Sequence, residues 1–225
     1  ILGMNLNIGK RAIGPGQPTF IVAEMSGNHN RDYNRALKLI DAAARAGADA
    51  VKLQTYTADT MTLNLKTDFF RSRADNPWKG RTLYELYQDA ATPWEWQPKL
   101  KTYAEKRGLF LFSTPFDDTS VDFLEKMDVR LYKVASYEIT DIPLLRKIGK
   151  LGKPVILSRG LASEQEVAEA VGALRQSGTS QIAVLQCVDV YPAPAAEMNL
   201  ATIPDIVKRF GVVAGLSDHT LGVNV

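Results

Sequence analysis

The chain has 225 residues, 45% hydrophobic and 23% charged, with a formal net charge of +2 and one cysteine. These totals exclude a disordered chain, a disulfide scaffold and a strongly basic nucleic-acid binder, and leave a globular protein able to bury its own core. A single thiol suits a reducing compartment, read here as the cytoplasm; no apolar run reaches the roughly 20 residues of a membrane span, and residues 1–20 lack a signal-peptide layout.

Along the chain, short apolar runs alternate with helical patterns. "TFIVAEMS" from Thr19 reads as a strand, and "RALKLIDAAARAGA" as a helix with Leu37, Ile40 and Ala44 at helical spacing and Gly47 as its stop. "DAVKLQTY" is a second strand, followed by a polar stretch from about Thr57 to Arg81, then by "TLYELYQDA" and "WEWQPKLKTYAEKRG". "LFLFSTP" with "TSVDFLEKM" makes the third step, and "LYKVASYE" with "IPLLRKIGKLG" the fourth. In the fifth, "PVILSRG" leads to "SEQEVAEAVGALRQSG", where Ser163 and Glu166 have the spacing of a capping box. "QIAVLQCVDVYP" with "ATIPDIVKRFG" is the sixth, and "VVAGLSDHT" the seventh strand.

These strands are nearly continuous apolar runs, the pattern of a parallel sheet covered on both faces. Repeated strand–helix steps predict an α/β fold of the (β/α)8 TIM-barrel type over residues 19–225, with residues 1–18 capping the bottom of the barrel. An open doubly wound sheet is the competitor, but its Gly-rich phosphate turn is missing: the first turn reads "SGNHN". The count stops one strand short of eight, so the natural chain is expected to continue past Val225, unless it is a cleaved product or a dimer fills the gap.

A barrel collects its chemistry at the C-terminal ends of its strands. Those positions here are Glu24; Lys52 and Gln54; Ser113 and Thr114; Lys133, Ser136 and Glu138; Ser158 and Arg159; Gln186, Asp189 and Tyr191; Ser217, Asp218 and His219. Two lysines at one mouth need anionic partners. With the hydroxyls of Ser136, Ser158 and Ser217 they form a receptor for a phosphate and a carboxylate. Two other readings stay open: structural ion pairs of Lys52 and Lys133 with Glu24 and Glu138, and a Schiff-base aldolase using Lys133. His219 follows a barrel strand and suits a metal ligand or an acid/base group, although one histidine alone makes no metal site. His29 either reaches the same mouth or pins its own loop. Cys187, after "IAVLQ", reads as a buried and inert thiol. The aromatics Trp78, Tyr84, Tyr87, Trp94 and Trp96 read as packing core with some rim, and Tyr191 in "YPAP" as a stiffened loop residue.

Six stretches in order, "FIVAEMSGNHN", "AGADAVKLQTY", "STPFD", "YKVASYE", "KPVILSRG" and "GLSDHT", resemble the sialic acid synthase family, which makes nine-carbon 2-keto sugar acids. The resemblance runs from about Phe20 to Gly222. "QTYTADTMTLN", "WKGRTLYELYQDA", "TPWEW" and "YPAPAAEMNL" are more similar to its pseudaminic acid synthase branch than to the N-acetylneuraminate branch. The resemblance implies a transferase that condenses phosphoenolpyruvate with an open-chain acylated amino-deoxy hexose and water, releasing phosphate, with Mn2+ or Mg2+ polarising the aldehyde. N-acetylneuraminate or legionaminate synthesis and a non-catalytic sugar-binding protein are the alternatives.

By the same resemblance, Lys52, Gln54, Thr114, Lys133, Ser136, Ser158 and Ser217 would hold phosphoenolpyruvate, and Glu24 would position the attacking water. Glu138 and Tyr191 would face the sugar, and His219 would bind the metal. The family's second metal histidine, on an eighth strand, and its C-terminal antifreeze-like domain, which caps a homodimer partner's site, are not in this sequence. There are departures as well. Gln186 replaces a histidine, which argues against N-acetylmannosamine as substrate. Asp189 stands where Asn or Ser lies near the phosphate, and Arg159 replaces a threonine and is expected to offset Asp189.

Overall fold

The computed structural model describes residues 5–72, 78–223 and 225. Residues 73–77 of the polar stretch, 1–4 of the N-terminal segment and 224 lie outside the described residues. The chain divides into two compact units, Phe20–Val129 and the pair of segments Ile1–Thr19 and Arg130–Val225.

The chain begins with an antiparallel hairpin of β1 (Leu6–Ile8) and β2 (Arg11–Ile13), which the sequence reading missed. It belongs to the discontinuous unit: Leu6 and Ile8 are buried, and the Asn7 N–H donates to Gln181 Oε1 at 2.8 Å.

The continuous unit, Phe20–Val129, holds β3 (Val22–Glu24), α1 (Tyr33–Arg45), β4 (Ala50–Thr55), α2 (Ala58–Met61), α3 (Leu83–Ala90), α4 (Gln97–Glu105), β5 (Phe110–Pro115) and α5 (Asp118–Lys126). The three strands pair parallel in chain order, with Glu24 opposite Lys52 and Gln54 opposite Thr114. Helix α1 starts where the Asp32 carboxylate accepts the Arg35 N–H, a cap that contributes about 1 kcal/mol. It buries Ala36, Ile40 and Ala43, a stripe rotated slightly from the expected Leu37, Ile40 and Ala44. Leu53, Leu100, Leu111 and Leu124 are fully or almost fully buried, so this unit has its own core. Strand β3 is shorter than its apolar run, because Ser26 takes φ +45° and turns the chain into a 3-10 turn at Ser26–His29.

The discontinuous unit continues with β6 (Tyr132–Val134), α6 (Ile142–Gly149), β7 (Val155–Ser158), α7 (Glu164–Ser177), β8 (Ile182–Cys187), α8 (Thr202–Phe210) and β9 (Val213–Ser217). Strands β6 to β9 pair parallel in chain order. The capping box at α7 is present as read: the Glu166 N–H donates to Ser163 Oγ, and the Ser163 N–H donates to Glu166 Oε2. Val167, Ala170, Val171 and Leu174 bury one face of α7. A side chain at Gly149 would meet Ser177 Cβ at 2.7 Å, so glycine sets how closely α6 approaches the end of α7. All seven parallel strands expected from the sequence occur among the described residues.

Candidate active site

Each unit places polar side chains at the C-terminal ends of its strands. In Phe20–Val129 the parallel register sets Glu24 beside Lys52, and their carboxylate and ammonium form an ion pair. Two residues on, and so on the same face, Gln54 accepts the Ser26 hydroxyl through Oε1 at 2.8 Å. That bond fixes the orientation of the amide. Thr114, the register partner of Gln54, is 1% exposed. The other face of β4 is a closed network in which Thr55 bridges Ser113 and Gln97 at 2.6 and 2.8 Å. Ser113 is thereby occupied inside the packing.

In the discontinuous unit Lys133 is 5% exposed, and its Nζ donates to Ser158 Oγ and to the Val134 carbonyl, each at 2.6 Å. Glu138 lies one short turn further on. Burial pushes its carboxyl above the usual range, opposed by its own backbone N–H and the attraction of Lys133. Its Oε2 is buried without a partner among the described residues. The open ion-pair reading is thus realised in Glu24–Lys52 and survives as a longer-range attraction between Lys133 and Glu138.

Ser136, Cys187 and Asp189 form a chain. Ser136 Oγ donates to Cys187 Sγ at 3.7 Å, and the thiol donates to Asp189 Oδ1 at 3.4 Å, with Ser217 also bonding the sulfur. Burial, the largest cause, pushes the thiol up, so Cys187 stays protonated and is a hydrogen-bonding hub, in keeping with the inert thiol read from the sequence. Gly160 makes room for this chain. A Cβ there would sit 1.9 Å from Asp189 Oδ2 and 2.3 Å from Ser136 Oγ, at a φ of +32°. The sequence reading overlooked Ser26 and Gly160; the only signal for either was its place just past a strand end.

His219 Nδ1 lies 2.8 Å from the Val188 carbonyl. A carbonyl accepts only, so Nδ1 carries the proton and Nε2 keeps its lone pair, 3.5 Å from Ser217 Oγ. That tautomer fits a metal ligand, whose second nitrogen ordinarily donates to a carbonyl or carboxylate. Among the described residues no group of three His, Cys, Asp or Glu could hold a metal ion, so His219 fits a single coordination position. The Tyr191 ring lies over it, centroids 4.1 Å apart, and Tyr191 is 72% exposed.

Two readings resolve differently from expectation, and one that was open is decided. Arg159 does not offset Asp189: its guanidinium donates to the Ala162 carbonyl, and its Nε and Asp189 Oδ2 are both buried without partners. Gln186 precedes Cys187 on β8 and so faces the other way. Its NH2 donates to the Met198 carbonyl at 3.0 Å, so it braces a loop and carries no argument about the sugar. His29, left open above, pins its loop: it is fully buried, bonded to Thr92 at 2.9 Å and edge-on to Trp96.

Parallel strand–helix units with polar side chains at their strand ends define an α/β protein of the TIM-barrel class. The chain belongs to the NeuB family, whose model matches residues 39–225. It is 44% identical over 206 residues to a pseudaminic acid synthase of Helicobacter pylori and 41% identical over 203 residues to that of Campylobacter jejuni serotype O:2, covering 92% and 90% of this chain. It spans 60% and 59% of the length of those relatives. An N-acetylneuraminic acid synthetase from Leptospira borgpetersenii, crystallised with citrate, superposes with a TM-score of 0.85 at 31% identity, covering 98% of this chain and 72% of that one. Among the described residues no helix is long and apolar enough to cross a membrane.

Proposed function

We propose that this chain carries the phosphoenolpyruvate-dependent condensation of a sialic-acid-type synthase, of the pseudaminic acid kind. The carrying observation is the nearly buried Lys133 ammonium held against Ser158 Oγ at a strand end of a NeuB-family chain. An ammonium and a hydroxyl held together at a strand end offer donors suited to a small anion.

In this reading Lys133, Ser158, Ser136 and Ser217 receive the phosphate and carboxylate of phosphoenolpyruvate, with Lys52, Gln54 and Thr114 as further donors. The enol carbon attacks the aldehyde of an open-chain acylated amino sugar, water adds at C2, and phosphate leaves by C–O cleavage. Glu24, held by Lys52, orients the water. Glu138, with its raised affinity for a proton, faces the sugar, as does Tyr191. Asp189 keeps Ser136 and the Cys187 thiol in register beside the anion. His219 would offer Nε2 to a divalent Mn2+ or Mg2+ ion, which supplies Lewis-acid polarisation of the aldehyde when bound. The small substrates need neither nucleic acid nor membrane, and the working form is a homodimer.

The test is phosphate release from phosphoenolpyruvate against a panel of acylated hexosamines, including precursors of pseudaminic, legionaminic and N-acetylneuraminic acids. Phosphate formed only when a diacetylated pseudaminic-type precursor and a divalent ion are both present is the expected result. Release with the N-acetylmannosamine or legionaminate precursor instead moves the chain to another branch. Absence of release with every sugar, or an imine trapped by borohydride, overturns the reading.

A further inference from the structure

Within Phe20–Val129 there is a cavity of about 280 Å³ that none of the strand-end residues lines. Three stretches that set the chain apart from the N-acetylneuraminate branch meet there. "QTYTADTMTLN" contributes Tyr56 and Asp59, "WKGRTLYELYQDA" contributes Tyr84 and Gln88, and "TPWEW" contributes Trp94, with Arg31 closing the rim. We propose that this cavity is a carbohydrate subsite that takes a neutral acylamino sugar.

The lining is rigid. Tyr56 is 4% exposed and lies edge-on to Tyr87 and Phe116, with centroids 5.7 and 5.4 Å away. Trp94 packs on Phe123 at 4.6 Å, and its ring N–H donates to the Tyr56 carbonyl at 3.1 Å. The Tyr84 hydroxyl donates to Asp59 Oδ1 at 2.9 Å, which fixes a carboxylate acceptor in the lining. Arg31 Nη1 donates to the Gln88 carbonyl at 2.6 Å. Arg31 is held over the cavity at φ +54°, a left-handed backbone that a non-glycine residue adopts at a cost, and such strain concentrates at ligand clamps.

The chemistry follows from this set. One carboxylate and one guanidinium cancel in charge, so a phosphate dianion gains nothing over a neutral guest. Asp59 and Gln88 accept, Gln88 and Arg31 donate, and flat rings supply apolar surface: a match to hydroxyls, an amide and the C–H face of a sugar. The volume lies just under the roughly 300–1,000 Å³ of drug-sized sites, which fits one sugar or its acylated arm. The choice of an acylamino sugar over any small polyol rests on the synthase reading; the neutral, hydroxyl-rich class does not.

Saturation-transfer NMR on the protein with N-acetylmannosamine as probe, and glucose and inorganic phosphate as comparisons, tests the proposal. Saturable binding of the N-acetyl sugar, weaker binding of glucose and none of phosphate are expected. Tyr84→Phe and Asp59→Asn should each weaken the sugar at least fivefold while phosphoenolpyruvate affinity stays unchanged. An absent sugar signal, or one that both variants retain in full, overturns the subsite even if phosphoenolpyruvate binds. Sugar binding lost in both variants, in a protein that binds no phosphoenolpyruvate, keeps the subsite and overturns only the synthase reading.

Discussion

Replacing Lys133 by methionine separates an anion receptor from a structural ion partner. The change keeps most of the aliphatic stem and removes the charge. Two hydrogen bonds of 2.6 Å, to Ser158 Oγ and the Val134 carbonyl, are lost, at a cost of about 1 kcal/mol each. Against this stands the desolvation of an ammonium that is only 5% exposed, a penalty of several kcal/mol per ion that methionine does not incur. The lost attraction of Glu138 counts against the variant as well, so the melting temperature of Lys133→Met should stay close to that of the wild type. Binding should change. Removing one partner of a buried charge pair costs at least about 2 kcal/mol, so the Kd for phosphoenolpyruvate should rise about 30-fold or more. Titration calorimetry with phosphoenolpyruvate, alongside scanning calorimetry of the same samples, measures both. A folded variant with Kd within threefold of the wild type refutes the receptor, and a large fall in melting temperature with unchanged Kd assigns Lys133 to the fold.

Glu138→Gln should stabilise the protein at pH 7 and slow turnover. Burial raises the carboxyl's affinity for its proton in the fold, so stability present at acidic pH is lost as pH rises through the raised value, and glutamine removes that loss. A pH 7 melting temperature below wild type would contradict this. For His29, burial first and Arg31 second hold the imidazole below its ordinary range. Stability should be complete above about pH 6.5 and decline as pH falls below it, because the unfolded chain takes up the proton first. Melts from pH 5 to 8 should show a slope that His29→Gln flattens; an unchanged slope would show that another group carries it. Gly160→Ala forces a methyl onto Asp189 Oδ2 and Ser136 Oγ, contacts of 1.9 and 2.3 Å that demand displacement. It should cost roughly 1–3 kcal/mol of stability and weaken phosphoenolpyruvate binding, and an unaltered melt and affinity would count against the Ser136–Cys187–Asp189 chain.

Much of the fold is legible in the chain because parallel strands buried on both faces cannot conceal themselves: "AVKLQT" and "IAVLQC" read as strands at once. Capping chemistry is equally local, which is why the spacing of Ser163 and Glu166 alone marks the start of α7. Short elements escaped. β1 and β2 are three residues each, too brief for an alternating pattern to stand out. At the site, residue types and strand-end positions were visible, while pairings were not. Nothing local says that Arg159 turns to the Ala162 carbonyl rather than to Asp189, or that Gln186 faces a loop, since both depend on which side of a strand end the chain leaves. The Ser26–Gln54 bond spans 28 residues and needs a left-handed serine, which composition does not announce.

The N-terminal hairpin has a consequence for biosynthesis. Asn7 and its acceptor Gln181 are 174 positions apart, with the whole of Phe20–Val129 synthesised between them. At about 5–20 residues per second on the ribosome, Gln181 follows Asn7 by roughly 9–35 seconds. For that interval the hairpin emerges without the Gln181 amide that accepts its Asn7 N–H. The hairpin should thus complete its docking only after Gln181 has been made.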